Sequence, residues 1–128
     1  MMTRKIFAVS LLLALTAVFA YAQEAAKTVK VKGYLIDNMC AGAPGDDKDY
    51  AEEAQAHTVG CAAMPHCAAS GFAVAEGRKL YKLDEAGNKL ASEVFKATKV
   101  KKGVMVEVEG TVEGTTLRAT KLVEVAAK

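Results

Sequence analysis

Thr28-Val29-Lys30-Val31-Lys32-Gly33-Tyr34-Leu35-Ile36-Asp37 is the stretch on which the fold turns. Val29, Val31, Gly33 and Leu35 fall on one face, and Lys30, Lys32, Tyr34 and Ile36 on the other. That is the two-residue period of a strand. A glycine in the middle of such a run marks a bulge or a sharp bend. A strand bent at Gly33 can pair along both edges, which favours a small closed barrel over a flat sheet.

Downstream segments agree. Residues 72–76 and 79–84 flank Gly77 and read as a hairpin. Residues 86–88 read as a turn, and residues 89–98 as a helix with Leu90, Val94 and Phe95 on one side. Val104, Val106 and Val108 alternate with Met105, Glu107 and Glu109 as a strand, and Gly110 and Gly114 bracket a tight connection. Residues 115–125 form the last strand, with Leu117, Ala119, Val123 and Val125 inward and a bulge near Lys121 and Leu122. The expected architecture is mainly β: an OB-like five-stranded antiparallel barrel carrying short helices. A two-sheet sandwich or an open α+β sheet is the alternative.

Between the first two strands lies an insert, residues 38–71, of different character. Gly42, Pro44 and Gly45 break regular structure. Asp49 is placed to cap a helix over residues 50–57, which Thr58, Val59 and Gly60 end. Pro65 opens a second short turn that Gly71 terminates.

All 3 cysteines and both histidines of the chain fall in this insert. They are Cys40, His57, Cys61, His66 and Cys67, with Asp37 just ahead. Cys40, His57, Cys61 and Cys67 make a Cys3His set, the donor count that satisfies tetrahedral Zn²⁺. His57 and Cys61 are one helical turn apart, and Cys61 and Cys67 lie on either side of the Pro65 turn. Asp37 is a fifth ligand, a carboxylate partner for His57, or a cap; His66 is a secondary candidate. Met39 and Met64 add thioethers, and soft donors of that kind select Cu(I). The competing reading is a disulfide. Closing a loop of roughly 21–27 residues from Cys40 stabilises by about 3–4 kcal/mol, and leaves one thiol over. The spacing does not choose between them, or among the three possible pairings.

Residues 1–22 read as a signal peptide. Arg4 and Lys5 form the basic end, residues 6–19 the apolar run, and Ala20-Tyr21-Ala22 the cleavage site. Residues 23–128 are then one exported domain, periplasmic or secreted, with no lasting membrane anchor. The chain has 17 Lys and Arg against 15 Asp and Glu. Both surplus positives are Arg4 and Lys5, so residues 23–128 balance to zero. A nucleic-acid partner, which requires a basic face, is not expected.

Other chemistries lack their motifs. There is no C-x-x-C redox pair and no C-x-x-C-H haem site. Gly-rich phosphate loops are absent, and no Ser-His-Asp set has a spacing to support it. Four protein ligands leave a metal no open position, so a structural or metal-handling role is expected in place of an enzyme.

Gly33-x3-Asp37-x2-Cys40, then His57-x3-Cys61-x5-Cys67, then Val106-Glu107-Val108-Glu109-Gly110 resembles a group of small exported bacterial proteins of uncharacterised function. The resemblance covers nearly all of residues 23–128. It implies an OB-like domain with a clustered Cys/His/Asp site and carries no assigned activity. Three functions follow as expectations: an exported protein binding Zn²⁺ or Cu⁺, a disulfide-stapled envelope-binding module without metal, and a thiol redox protein.

Overall fold

The computed structural model describes residues 27–45 and 47–127. The expected signal peptide lies outside them. Five strands carry the fold: β1 Thr28–Asp37, β2 Phe72–Glu76, β3 Lys79–Leu83, β4 Met105–Glu113 and β5 Thr116–Glu124. Four short helices fill the insert: α1 Asn38–Ala41, α2 Tyr50–Ala56, α3 Val59–Ala62 and α4 Pro65–Ala69. A longer helix, α5 Glu85–Ala97, follows β3. Among the described residues no helix is long and apolar enough to cross a membrane.

The strands close on themselves in the order β1-β2-β3-β5-β4, with β4 paired back to β1. β1 does pair on both sides. Residues from Thr28 to Tyr34 run antiparallel to β4, and Tyr34 to Asp37 run antiparallel to β2. The exchange falls at Gly33, where a Cβ would stand 2.3 Å from the carbonyl oxygen of Ala75. Only a residue without a side chain lets the strands cross so closely.

One junction departs from the antiparallel expectation: β3 pairs parallel to β5 through Lys82–Thr116 and Leu83–Leu117. Residues 84–115, including α5, carry the chain between these two pairing points, so a tight antiparallel turn there is impossible.

The helix expected over residues 89–98 starts earlier, at Glu85, and absorbs the predicted turn. Asp84 caps it, its Oδ1 accepting from the Gly87 amide at 2.9 Å and from the Ala119 amide on β5 at 3.1 Å. Gly87 is a contact point, with Leu83 Cβ at 3.0 Å and Ala119 Cβ at 3.1 Å from where its own Cβ would be. The helix lays Leu90, Ala91, Val94 and Phe95 onto the ring interior, where Phe95 meets Phe72 at 5.1 Å between ring centroids.

Two further expectations shift. β4 runs on through Gly110 to Glu113, so the tight connection is Gly114 and Thr115 alone. The bulge in β5 sits at Thr120, since Glu109 faces Lys121 and Gly110 faces Ala119. That extra residue flips the alternation one place early, so Leu122 is buried and Val123 is 39% exposed. Gly110 lies against Arg118 backbone at this bulge, leaving no space for a Cβ. We expect Gly110→Ala to cost about 1–3 kcal/mol by overpacking. Gly60, with open space around it, is the control; Gly60→Ala should be neutral or stabilise α3 by up to about 1 kcal/mol. Denaturant unfolding of the two variants checks both.

The ring interior is one apolar core: Val31, Leu35, Val74, Val106, Val108 and Leu117 are at its centre. A second cluster of Tyr34, Ile36, Ala41, Tyr50, Ala54, Ala73, Ala75 and Leu80 lies on the outside of β1, β2 and β3, beneath the insert. This explains why β1 is alternately buried at its start and continuously buried from Tyr34 to Asp37. The insert is thus a cap on one wall of the ring, and its cysteines sit where that cap meets the end of β1.

Candidate metal centre

The site is assembled by one device used three times. Each cysteine stands three residues after the N-cap of a helix of four or five residues. The caps are Asp37 for Cys40, Thr58 for Cys61 and Met64 for Cys67. Asp37 Oδ1 accepts the Cys40 amide at 2.9 Å, and Thr58 Oγ1 accepts the Cys61 amide at 3.1 Å. Met64 has no capping oxygen, and Pro65 at the first helical position sets that turn instead. Gly42 and Gly71, at φ 78° and 80°, end α1 and α4. Both have a positive φ, which favours glycine.

Further bonds hold the turns together. The Asn38 amide donates to Gly71 O at 2.9 Å, and its side-chain Nδ2 donates to Ser70 O at 2.8 Å. Asn88 of α5 accepts the Phe72 amide at 2.8 Å, anchoring the same corner from the other side. On the opposite flank residues 57–59 pair with residues 101–103. The Val59 amide donates to Lys101 O at 2.9 Å, and the Gly103 amide to His57 O at 3.1 Å. The basic turn there is solvent-exposed, as expected, yet its backbone fixes His57.

Three sulfurs and one carboxylate converge. Ligand atoms of Asp37, Cys40, Cys61 and Cys67 all lie within 4.8 Å of one another. Cys40 Sγ and Cys61 Sγ are 3.8 Å apart, and all three cysteines are free. A Zn–S bond of about 2.3 Å implies a tetrahedral edge of about 3.8 Å. A disulfide requires about 2.05 Å. The pair is therefore at the separation of two ligands on one ion.

The donor set differs from the Cys3His expectation. Asp37, fully buried, is the fourth member of the cluster. His57 stands behind it, with Nε2 at 2.7 Å from Asp37 Oδ2. The two buried atoms face each other as a close polar pair without a well-aligned hydrogen bond. His57 and Cys61 do not share a helix face: His57 is the extended C-cap of α2, whereas Cys61 belongs to α3. His66 is exposed on α4 and outside the cluster.

The capping of α1 by Asp37 was open to sequence reasoning through its three-residue spacing from Cys40. The roles of Asn38, Ser70 and Asn88 had no signal, because each depends on a partner distant in the chain.

Electrostatics follow from crowding acids in a partly dry corner. Burial pushes the Cys40 thiol up to about 12, with its hydrogen bond to Cys61 and the Asp37 carboxylate adding to the rise. Burial, then the Asp37 charge, also raises Cys67. Without a cation these two thiols hold their protons at neutral pH, and a bound metal must displace both. Between pH 6 and 8 apparent affinity should therefore rise at least about 100-fold per pH unit, at least two protons leaving per ion. Proton release during metal titration in weak buffer measures this. A pH-independent affinity would contradict it.

Protein-family models, curated proteins and solved structures contain no match to this chain. What the geometry itself defines is a β-ring domain with a Cys3Asp cluster that could hold a metal ion.

Proposed function

We propose that this is an exported metal-binding protein of OB-like fold, with Asp37, Cys40, Cys61 and Cys67 as ligands and His57 bracing the Asp37 carboxylate. The carrying observation is the 3.8 Å approach of Cys40 and Cys61 sulfurs within a four-donor group. The strand order β1-β2-β3-β5-β4 supports the OB-like reading. Export rests on the basic, apolar and small-residue pattern of residues 1–22. Four protein donors fill a tetrahedron, so the role is structural or one of metal handling, and no catalytic step is assigned.

Elemental analysis and a thiol count on the purified protein test the reading. One metal ion per chain and three thiols titratable after denaturation in chelator are expected. The rival is a Cys40–Cys61 bridge, which the same proximity of two half-buried sulfurs favours once an oxidant is present. One thiol and no metal would establish that rival instead.

His57→Ala separates ligation from bracing. As a brace, His57 contributes about 10- to 100-fold in affinity, with stoichiometry kept. Loss of stoichiometric binding would show that the imidazole is itself a ligand.

A further inference from the structure

Two methionines contradict the usual place of that residue. Methionine fills gaps in cores, yet Met39 is 57% exposed and Met64 40% exposed. They are the two exposed methionines among the described residues, and both belong to the cysteine turns. Met39 precedes Cys40 on α1, and Met64 caps the turn that carries Cys67.

Their backbones lie at opposite ends of α4. The Met39 amide donates to Ser70 Oγ at 3.1 Å, just past the end of that helix. Met64 stands just before its start. Six residues of helical rise separate these positions by roughly 9 Å. Cys67 lies between them at 2% exposure, while Cys40 and Cys61 are half-buried. Cys67 is thus closed off while Cys40 and Cys61 are reachable, and the two exposed thioethers belong to the turns that carry Cys40 and Cys67.

Building on the metal-binding reading above, we propose that the cargo is Cu(I), entering and leaving by ligand exchange through Met39 and Met64. Thioether and thiolate are soft donors, which suit a soft monovalent ion better than Zn²⁺. Three thiolates can satisfy Cu(I) without the Asp37 carboxylate. The exchange involves no electron transfer: copper stays Cu(I), each Cu–S(thioether) bond breaks as a Cu–S(thiolate) bond forms, and each thiol proton passes to solvent. An exposed thioether needs no deprotonation and binds weakly, so it suits a transit ligand better than a resting one.

The test compares the purified protein with the M39L/M64L variant. Both side chains are exposed, so the fold should be unaffected. Cu(I) is supplied anaerobically as its acetonitrile complex, and exchange is followed with a chromophoric bidentate Cu(I) chelator. One Cu(I) per chain is expected, not displaced by equimolar Zn²⁺. The variant should hold Cu(I) with affinity within about threefold of the parent, while its exchange with the chelator slows about tenfold or more. Equal exchange rates in the two proteins, or displacement of Cu(I) by Zn²⁺, would overturn the proposal and leave the metal site standing. Failure to bind either ion would overturn the metal reading itself.

Discussion

Removing the metal with a strong chelator should lower the thermal midpoint by roughly 15–30 °C and unlock residues 38–71. A ligand held at 1,000 times its dissociation constant stabilises by about 4.1 kcal/mol, and each kcal/mol moves the midpoint of a domain this size by about 4–8 °C. The insert depends on this contribution because it has little apolar packing of its own. Its helices are four to seven residues long, well short of the roughly 12–15 residues at which isolated helices become marginal. Its apolar anchors are few: Tyr50, Ala41 and Ala54 on the outer wall, and Ala62 at the edge of the core. The ring is different, with its own apolar interior and a closed ladder. Hydrogen exchange should therefore lose protection across residues 38–71 after chelation, while β4 and β5 stay protected. Tyr34 and Ile36, covered by the insert, should become accessible along their outer face. An unchanged midpoint with full protection of the insert would mean that no ion contributes to this corner.

How much of this was legible in the chain depends on how local each cause is. The pairing of β1 along both edges about Gly33 and the inward set Val29, Val31 and Leu35 follow from one strand's own pattern. The parallel β3–β5 pairing does not, because it depends on where α5 carries the chain rather than on either strand. Helix α5 begins at Glu85, ahead of the expected residue 89, although Gly87 reads locally as a breaker. Its real role is tertiary, bringing the first turn against Leu83 and Ala119. Thr120 gives no local sign of being the bulge residue, and one residue of error there exchanged Leu122 for Val123 in the core. In the site, the three cysteines converge as anticipated. Asp37 and His57 exchange priority, since which of them meets the sulfurs depends on α2 ending before His57 in extended backbone.

Asp37→Ala should be the most damaging single substitution at the site, and its contrast with Asp37→Asn the most informative. Asp37 serves two ends with its two oxygens. Oδ1 caps α1 through the Cys40 amide, and Oδ2 faces His57, while the carboxylate lies in the cluster. Alanine removes both. The lost cap costs about 1 kcal/mol, and a His57 side chain left buried without a partner costs about 1–3 kcal/mol more. A total of about 2–4 kcal/mol is expected in the metal-free protein. Asparagine is nearly isosteric and keeps an oxygen at the capping position, so Asp37→Asn should cost only about 1 kcal/mol without metal. It nevertheless removes the anionic donor, and Zn²⁺ affinity should fall about 100-fold or more. The two substitutions therefore differ in apo stability and agree in weakening Zn²⁺. If the cysteines were instead joined by a disulfide, Asp37→Asn would change stability by about 1 kcal/mol and nothing else. A cluster held by three sulfurs alone, as Cu(I) permits, predicts a third pattern: Zn²⁺ affinity collapses in Asp37→Asn while Cu(I) affinity survives. Measuring both ions on the one variant reads out which donors hold the metal, and whether Asp37 is a ligand or only the peg that positions Cys40.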